Sequence, residues 1–228
     1  MYYFSVPMPY TLEDIDKILN INNQIKNSQI NCFYFSLPFN CQMFTGFEQY
    51  RNSTKEDWEY WKKLICYVIG KNIDFVYLLN NPCGFLRNNQ DIEQQLYKLD
   101  ILLKELDKIG VKILRIAEHT LISHVAKNYP QFDIYASTSM ELKYLNEYEN
   151  LIFMHPSIKQ VVPSHDVIKN FTFLKNLKKL LPNTEIELMV NEGCLKGCPY
   201  RFGHSIETNT SKNDIHFFHN KFCLRKDV

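Results

Sequence analysis

A chain of 228 residues with a formal net charge of +1 has room for one large α/β domain and no bulk charge to draw it to nucleic acid or an anionic membrane. Hydrophobic residues make up 45% and charged residues 22%, a globular balance that excludes wholesale disorder. No run reaches the roughly 18 apolar residues of a membrane span. MYYFSVPMPY has neither a basic n-region nor a small-residue cleavage site, so a soluble, cytoplasmic protein with no membrane partner is expected.

Taken in chain order, Tyr2 to Pro7 reads as a first strand. Thr11 caps the helix TLEDIDKILNINNQI, where Leu12, Ile15, Ile18 and Leu19 share one face. Ile30 to Leu37 is a second strand stopped by Pro38, and Phe39 to Thr54 a long loop. Ser53 or Thr54 caps the helix KEDWEYWKKLICYVIGK, with Trp58, Trp61, Leu64, Ile65 and Val68 at helical spacing. Ile73 to Leu79 is a third strand. Asp91 opens a leucine-rich helix that stops at Gly110.

Val111 to Ala117 is a fourth strand, followed by a short helix reaching Tyr129. Phe132 to Ala136 is a fifth, with Ser137, Thr138 and Ser139 capping the helix MELKYLNEY. Asn150 to Met154 reads as a sixth strand ending at His155 and Pro156. Asp166 to Leu181 is a helix closed by Pro182, and Ile186 to Val190 a seventh strand.

Dense strands alternating with helices predict parallel βαβ crossovers. No Gly-x-Gly-x-x-Gly follows the first strand and there is no Walker loop, so nucleotide-binding sheets have no support. The expectation is an α/β fold: a parallel (β/α) TIM-type barrel, incomplete or distorted, as a single domain over residues 1–228. Residues 191–228 form an irregular, cysteine-containing tail of that domain.

Chemistry in such a barrel collects at the C-terminal strand ends. Those ends are Pro7, Pro38, Asn80, Glu118 with His119, Ser137 with Thr138, His155, and Asn191 with Glu192. Glu118 and Glu192 are the carboxylates best placed for acid/base work. Asn191 and His155 are candidate substrate contacts, with a satisfied half-buried histidine as the plainer reading of His155. His119, His124 and His165 read as structural. Cys32 and Cys66 read as small core residues, and Cys41 and Cys83 as loop thiols.

The seven cysteines are odd in number and irregularly spaced, which argues against a disulfide framework. The run EIELMVNEGCLKGCPYRFGHS instead gathers Cys194, Cys198 and His204, with Cys223 farther on. Three thiolates and an imidazole suit tetrahedral zinc; three thiolates alone suit an iron–sulfur cluster with one open iron. A redox or nucleophilic thiol is the alternative. Gly193 and Gly197 let the backbone fold tightly around a centre. A radical-SAM loop is excluded, since Arg201 stands where a third cysteine belongs. Arg201 offers a planar fork for a substrate carboxylate or phosphate, or for Glu192.

The barrel order, the stretch Ala136-Ser137-Thr138-Ser139-Met140-Glu141-Leu142 after a strand, and ELMVNEGCLKGCPYR after the last strand resemble the collagenase-like peptidase U32 family, over roughly residues 111–204. The resemblance implies a barrel, sometimes incomplete, with cysteines after a late strand. Some members are peptidases; others carry an iron–sulfur cluster and take part in hydroxylating ubiquinone precursors or transfer RNA. By that resemblance Cys194, Cys198 and Cys223 are cluster ligands. The cysteine spacing here is tighter than the family's, and no fourth cysteine follows Cys223, so either His204, Cys41, Cys83 or a partner subunit completes the set, or the site is degenerate. The expected function is a cluster-dependent enzyme or enzyme subunit acting on a small molecule, RNA or peptide. The alternatives are a metal-dependent peptidase with Glu192 as base, and a non-catalytic partner subunit with structural zinc.

Overall fold

The chain's apolar periodicities resolve into seven strands and six α-helices in a computed structural model that describes residues 1–35, 54–81, 92–190, 196–198 and 201. The elements are β1 (Tyr2–Pro7), α1 (Leu12–Asn22), β2 (Ser28–Phe35), α2 (Lys55–Gly70), β3 (Asp74–Leu79), α3 (Ile92–Lys108) and β4 (Ile113–Ile116). They continue with α4 (His119–Asn128), β5 (Asp133–Ala136), a 3₁₀ turn (Thr138–Met140), α5 (Leu145–Met154), β6 (Ile158–Val161), α6 (Phe171–Leu180) and β7 (Glu185–Ile186). The strands form one parallel sheet in the order of the chain. Sequential parallel order with helical crossovers curls a sheet toward a barrel. Seven strands leave it an incomplete parallel (β/α) barrel.

Caps set the helix starts. Thr11 Oγ1 accepts from Asp14 N, and Thr54 with Asp57 makes a reciprocal capping box. Helix α3 stops where Gly110 takes φ +88°. On α2, Trp58, Trp61, Leu64, Ile65 and Val68 are buried, and on α3 Leu99, Leu102, Leu103 and Leu106. These faces pack on the outward residues of the strands. Phe35 of β2 stacks on Trp61, ring centroids 3.9 Å apart. The main core therefore lies between helices and sheet, not inside the barrel.

One predicted strand is corrected. Residues 150–154 belong to α5, and β6 is Ile158–Val161, which the sequence reading had passed over. The helix expected from Met140 begins later, at Leu145, after the short 3₁₀ turn capped by Ser137. The last helix opens at Phe171, capped by Asn170, rather than at Asp166. Predicted features at 36–53, including the long loop, lie outside the described residues. Among the described residues, no helix is long and apolar enough to cross a membrane.

Candidate functional site

The loops that leave β5 and β6 are sewn together at the C-terminal rim. Thr138 Oγ1 donates to Pro163 O at 3.1 Å, and Ser164 Oγ donates to Glu141 Oε2 at 2.9 Å. Glu141 sits in the left-handed region at φ 54°, an unusual conformation for a residue with a Cβ. His165 places Nε2 3.2 Å from Met189 Sδ, beyond β7, and Nδ1 3.9 Å from Glu141 Oε1.

The segment that bears Cys198 is fastened to this rim through Asp166. Gly197 N donates to Asp166 Oδ1 at 2.7 Å, and Arg201 Nη2 lies 3.0 Å from the same oxygen. Lys143 Nζ lies 2.7 Å from Asp166 Oδ2, and Arg201 Nη1 lies 3.4 Å from Glu141 Oε2. Arg201 is 8% exposed, so both ion pairs are largely out of water. Burial by itself would raise the Asp166 carboxyl. The Gly197 N–H, Lys143 and Arg201 outweigh it and hold the group well below the usual range. Arg201 N also donates to Cys198 O at 3.3 Å, and the Cys198 thiol is half-buried.

A second polar set fills the barrel lumen. Cys32 and Tyr34 of β2, Val76 and Leu78 of β3, and Ile113 of β4 line it with Tyr135 of β5. Arg115 of β4 joins them, its Nη2 donating to Glu187 Oε2 at 2.6 Å and to Gln160 Oε1 at 3.3 Å. Ser5 Oγ of β1 donates to the same Glu187 oxygen at 3.4 Å. Burial pushes the Cys32 thiol up to about 12, which leaves it protonated and unreactive at neutral pH. Tyr135 is likewise pushed up to about 12, by burial first and by Glu185 next.

No protein-family model matches the chain, and no curated protein matches it. Solved structures do. The fold is similar to that of a U32 peptidase. The U32 peptidase Mk0906 superposes with a TM-score of 0.64 at 8% identity, over 92% of this chain and 76% of that one. A candidate racemase from Roseobacter denitrificans gives 0.50 at 9% identity, over 86% of this chain but 49% of that protein, so the chain spans about half its length. At such identities the likeness is one of architecture.

Glu118 caps α4, its Oε2 accepting from Leu121 N at 2.7 Å. His155 does not end a strand: it closes α5 and leads into β6, with Nε2 3.1 Å from His119 Nδ1. Burial first, and the neighbouring His119 second, lower its pKa. Asn191, Glu192, Cys194, His204 and Cys223 lie outside the described residues. Among the described residues, no three of His, Cys, Asp and Glu are grouped to hold a metal ion. Sequence reasoning passed over Glu141, Lys143, Asp166, Arg115 and Glu187. The run Pro163-Ser164-His165-Asp166 after a strand-like IKQVV was the available signal for the rim.

Proposed function

We propose that the chain is a U32-type barrel acting as an enzyme, or as an enzyme subunit, that modifies a small molecule, RNA or peptide. Its metal centre is an iron–sulfur cluster, with zinc as the alternative, held by Cys194, Cys198 and Cys223 with His204. The observation that carries this reading is the double hold of Asp166 on Gly197 and Arg201. It fixes the segment around Cys198 to the strand-end rim, where barrel chemistry collects. Glycine at 197, with φ 69°, allows the backbone to turn its N–H onto Asp166 there. A cluster in that place supplies electron transfer or an open iron for a substrate. Glu192 and Glu118 are the candidate proton carriers, and Asn191, His155 and Arg201 the candidate substrate contacts. The capping bond on Glu118 Oε2 leaves its second oxygen for that task.

The test is anaerobic purification with iron, zinc and sulfide analysis. Brown protein with broad visible absorption and stoichiometric iron and sulfide is expected, and Cys198→Ser should lose both. Protein that binds neither metal after anaerobic reconstitution overturns the reading. The structural likeness to a U32 peptidase favours a second reading, a metal-dependent peptidase with Glu192 as base. Chelator-sensitive cleavage of a peptide library by the zinc-loaded protein would decide for it.

A further inference from the structure

Among the described residues, two that are not glycine take a left-handed backbone, Asn72 and Glu141. Asparagine visits that region readily. A glutamate does so at a cost, because its Cβ crowds the following carbonyl oxygen. Glu141 closes the 3₁₀ turn Thr138–Met140, its N–H donating to Thr138 O at 2.9 Å. Glycine is the usual residue at such a cap, as at Gly110 after α3, and would sit here without strain. Strain kept where glycine would relieve it points to a task for the side chain.

The partners of the carboxylate show the task. Oε2 accepts from Ser164 Oγ at 2.9 Å and from Arg201 Nη1 at 3.4 Å. The other terminal nitrogen of Arg201, Nη2, lies 3.0 Å from Asp166 Oδ1. A guanidinium is a planar fork. One carboxylate leaves it free to swing about the contact, whereas two on separate nitrogens set its plane. The two carboxylates come from different loops, Glu141 after β5 and Asp166 after β6. Ser164, fully buried, braces them: its Oγ donates to Glu141 and accepts from Asp166 N at 3.4 Å.

Arg201 N in turn donates to Cys198 O at 3.3 Å, so the setting of the guanidinium is passed to the residue that bears the thiol. We propose that Glu141 is a positioning residue: its strained backbone aims the second carboxylate that fixes Arg201, and through Arg201 it holds Cys198 in place on the rim. The metal-centre reading supplies the purpose of this hold. The hold itself stands on contacts made without a metal.

The test is hydrogen–deuterium exchange of the full chain, read by peptide mass spectrometry over residues 196–201. That peptide contains the Gly197 N–H bonded to Asp166 and the Arg201 N–H bonded to Cys198. Strand β4, in the middle of the sheet, is the control, because its amides exchange through large-scale opening. Glu141→Gln keeps the shape, removes the charge that faces Arg201, and should speed exchange of the peptide about three- to tenfold with β4 unchanged. Glu141→Gly and Glu141→Ala should speed it at least as much, yet the glycine variant should melt at a higher temperature than the alanine variant, since it relieves the backbone. In an Arg201→Gln background Glu141→Gln should add nothing.

Unchanged exchange over 196–201 in the Gln and Gly variants overturns the positioning role, and so does an equal rise in β4, which would assign Glu141 to general stability. An additive effect in the double variant overturns the route through Arg201. A glycine variant no more stable than the alanine variant overturns the strain argument. Should Arg201→Gln fail to fold, the single substitutions at 141 decide. Metal content is measured apart on the same samples, so metal-free protein with faster exchange in Glu141→Gln would sink the metal centre and leave this role standing.

Discussion

Asp166 gathers three partners at the rim: the Gly197 N–H, Lys143 and Arg201. Replacing it with asparagine keeps the shape, removes the charge and leaves Arg201 under-compensated in a nearly dry place. Asp166→Asn should cost about 2 kcal/mol, a fall in Tm of roughly 4–8 °C, and should speed tryptic cleavage after the exposed Lys196. Because the folded carboxyl is depressed, its contribution is complete above the ordinary value of 3.8 and is lost as pH falls below it. The gap between the two proteins should therefore narrow only under acid. His155 works in the other pH range. Its folded pKa lies below the ordinary 6.5, so the unfolded chain takes up a proton first. Stability is complete above that value and declines as pH falls through it. The denaturant midpoint should drop between about pH 7.5 and pH 5.5, and His155→Gln should flatten that slope. A slope unchanged in the variant would assign it to another group.

At the scale of elements, caps carry more of the order than their size suggests. Thr54 closes a reciprocal box with Asp57, two bonds at 2.7 and 3.1 Å. Thr54→Ala should cost about 1 kcal/mol by chemical denaturation. Glu118 makes a comparable bond to Leu121 N, so Glu118→Ala should cost a similar amount, about 1 kcal/mol, and Glu118→Gln only a few tenths. Activity lost in Glu118→Gln at unchanged stability would mark a role beyond capping. Helices with caps and a long apolar stripe, such as α2 and α3, were legible in the sequence. The error at residues 150–154 has a physical cause. Leu151-Ile152-Phe153-Met154 is a short apolar run whose period fits helix and strand alike. Leu151 is buried while Phe153 is 87% exposed, so only one face of the run is core, as on a helix. The true strand β6 was hidden because Gln160 points into a polar lumen, which breaks the pattern of a strand buried on both faces. Arg115 and Glu187 were passed over for the same reason. The rim suffered in turn, since placing β6 too early moved its C-terminal end from Val161 to His155. Cys198 and Arg201 stand out in the sequence because their residue types are conspicuous at the tip of a strand, whereas Asp166 looked like an ordinary helix start.

At the scale of the whole molecule, the unfinished barrel leaves two sheet edges. Among the described residues β1 pairs only with β2, and β7 only with β6. The two edge strands are joined side chain to side chain by the long Ser5–Glu187 bond at 3.4 Å, with no backbone ladder between them. An unpaired parallel edge offers a row of N–H and C=O groups to any other strand. Here that edge also carries Tyr2, Tyr3 and Phe4, which are 74%, 63% and 41% exposed. An apolar open edge of this kind should drive association between copies as concentration rises. A lysine at such a position is the usual natural deterrent, because pairing would then desolvate a charge. Tyr3→Lys should lower the mass-average sedimentation coefficient at high concentration and change stability by less than about 0.5 kcal/mol, as expected of an exposed site. The opposite result would be as informative. If sedimentation is unchanged and stability falls by about 1 kcal/mol or more, Tyr3 is not free in solution and the association through β1 is overturned.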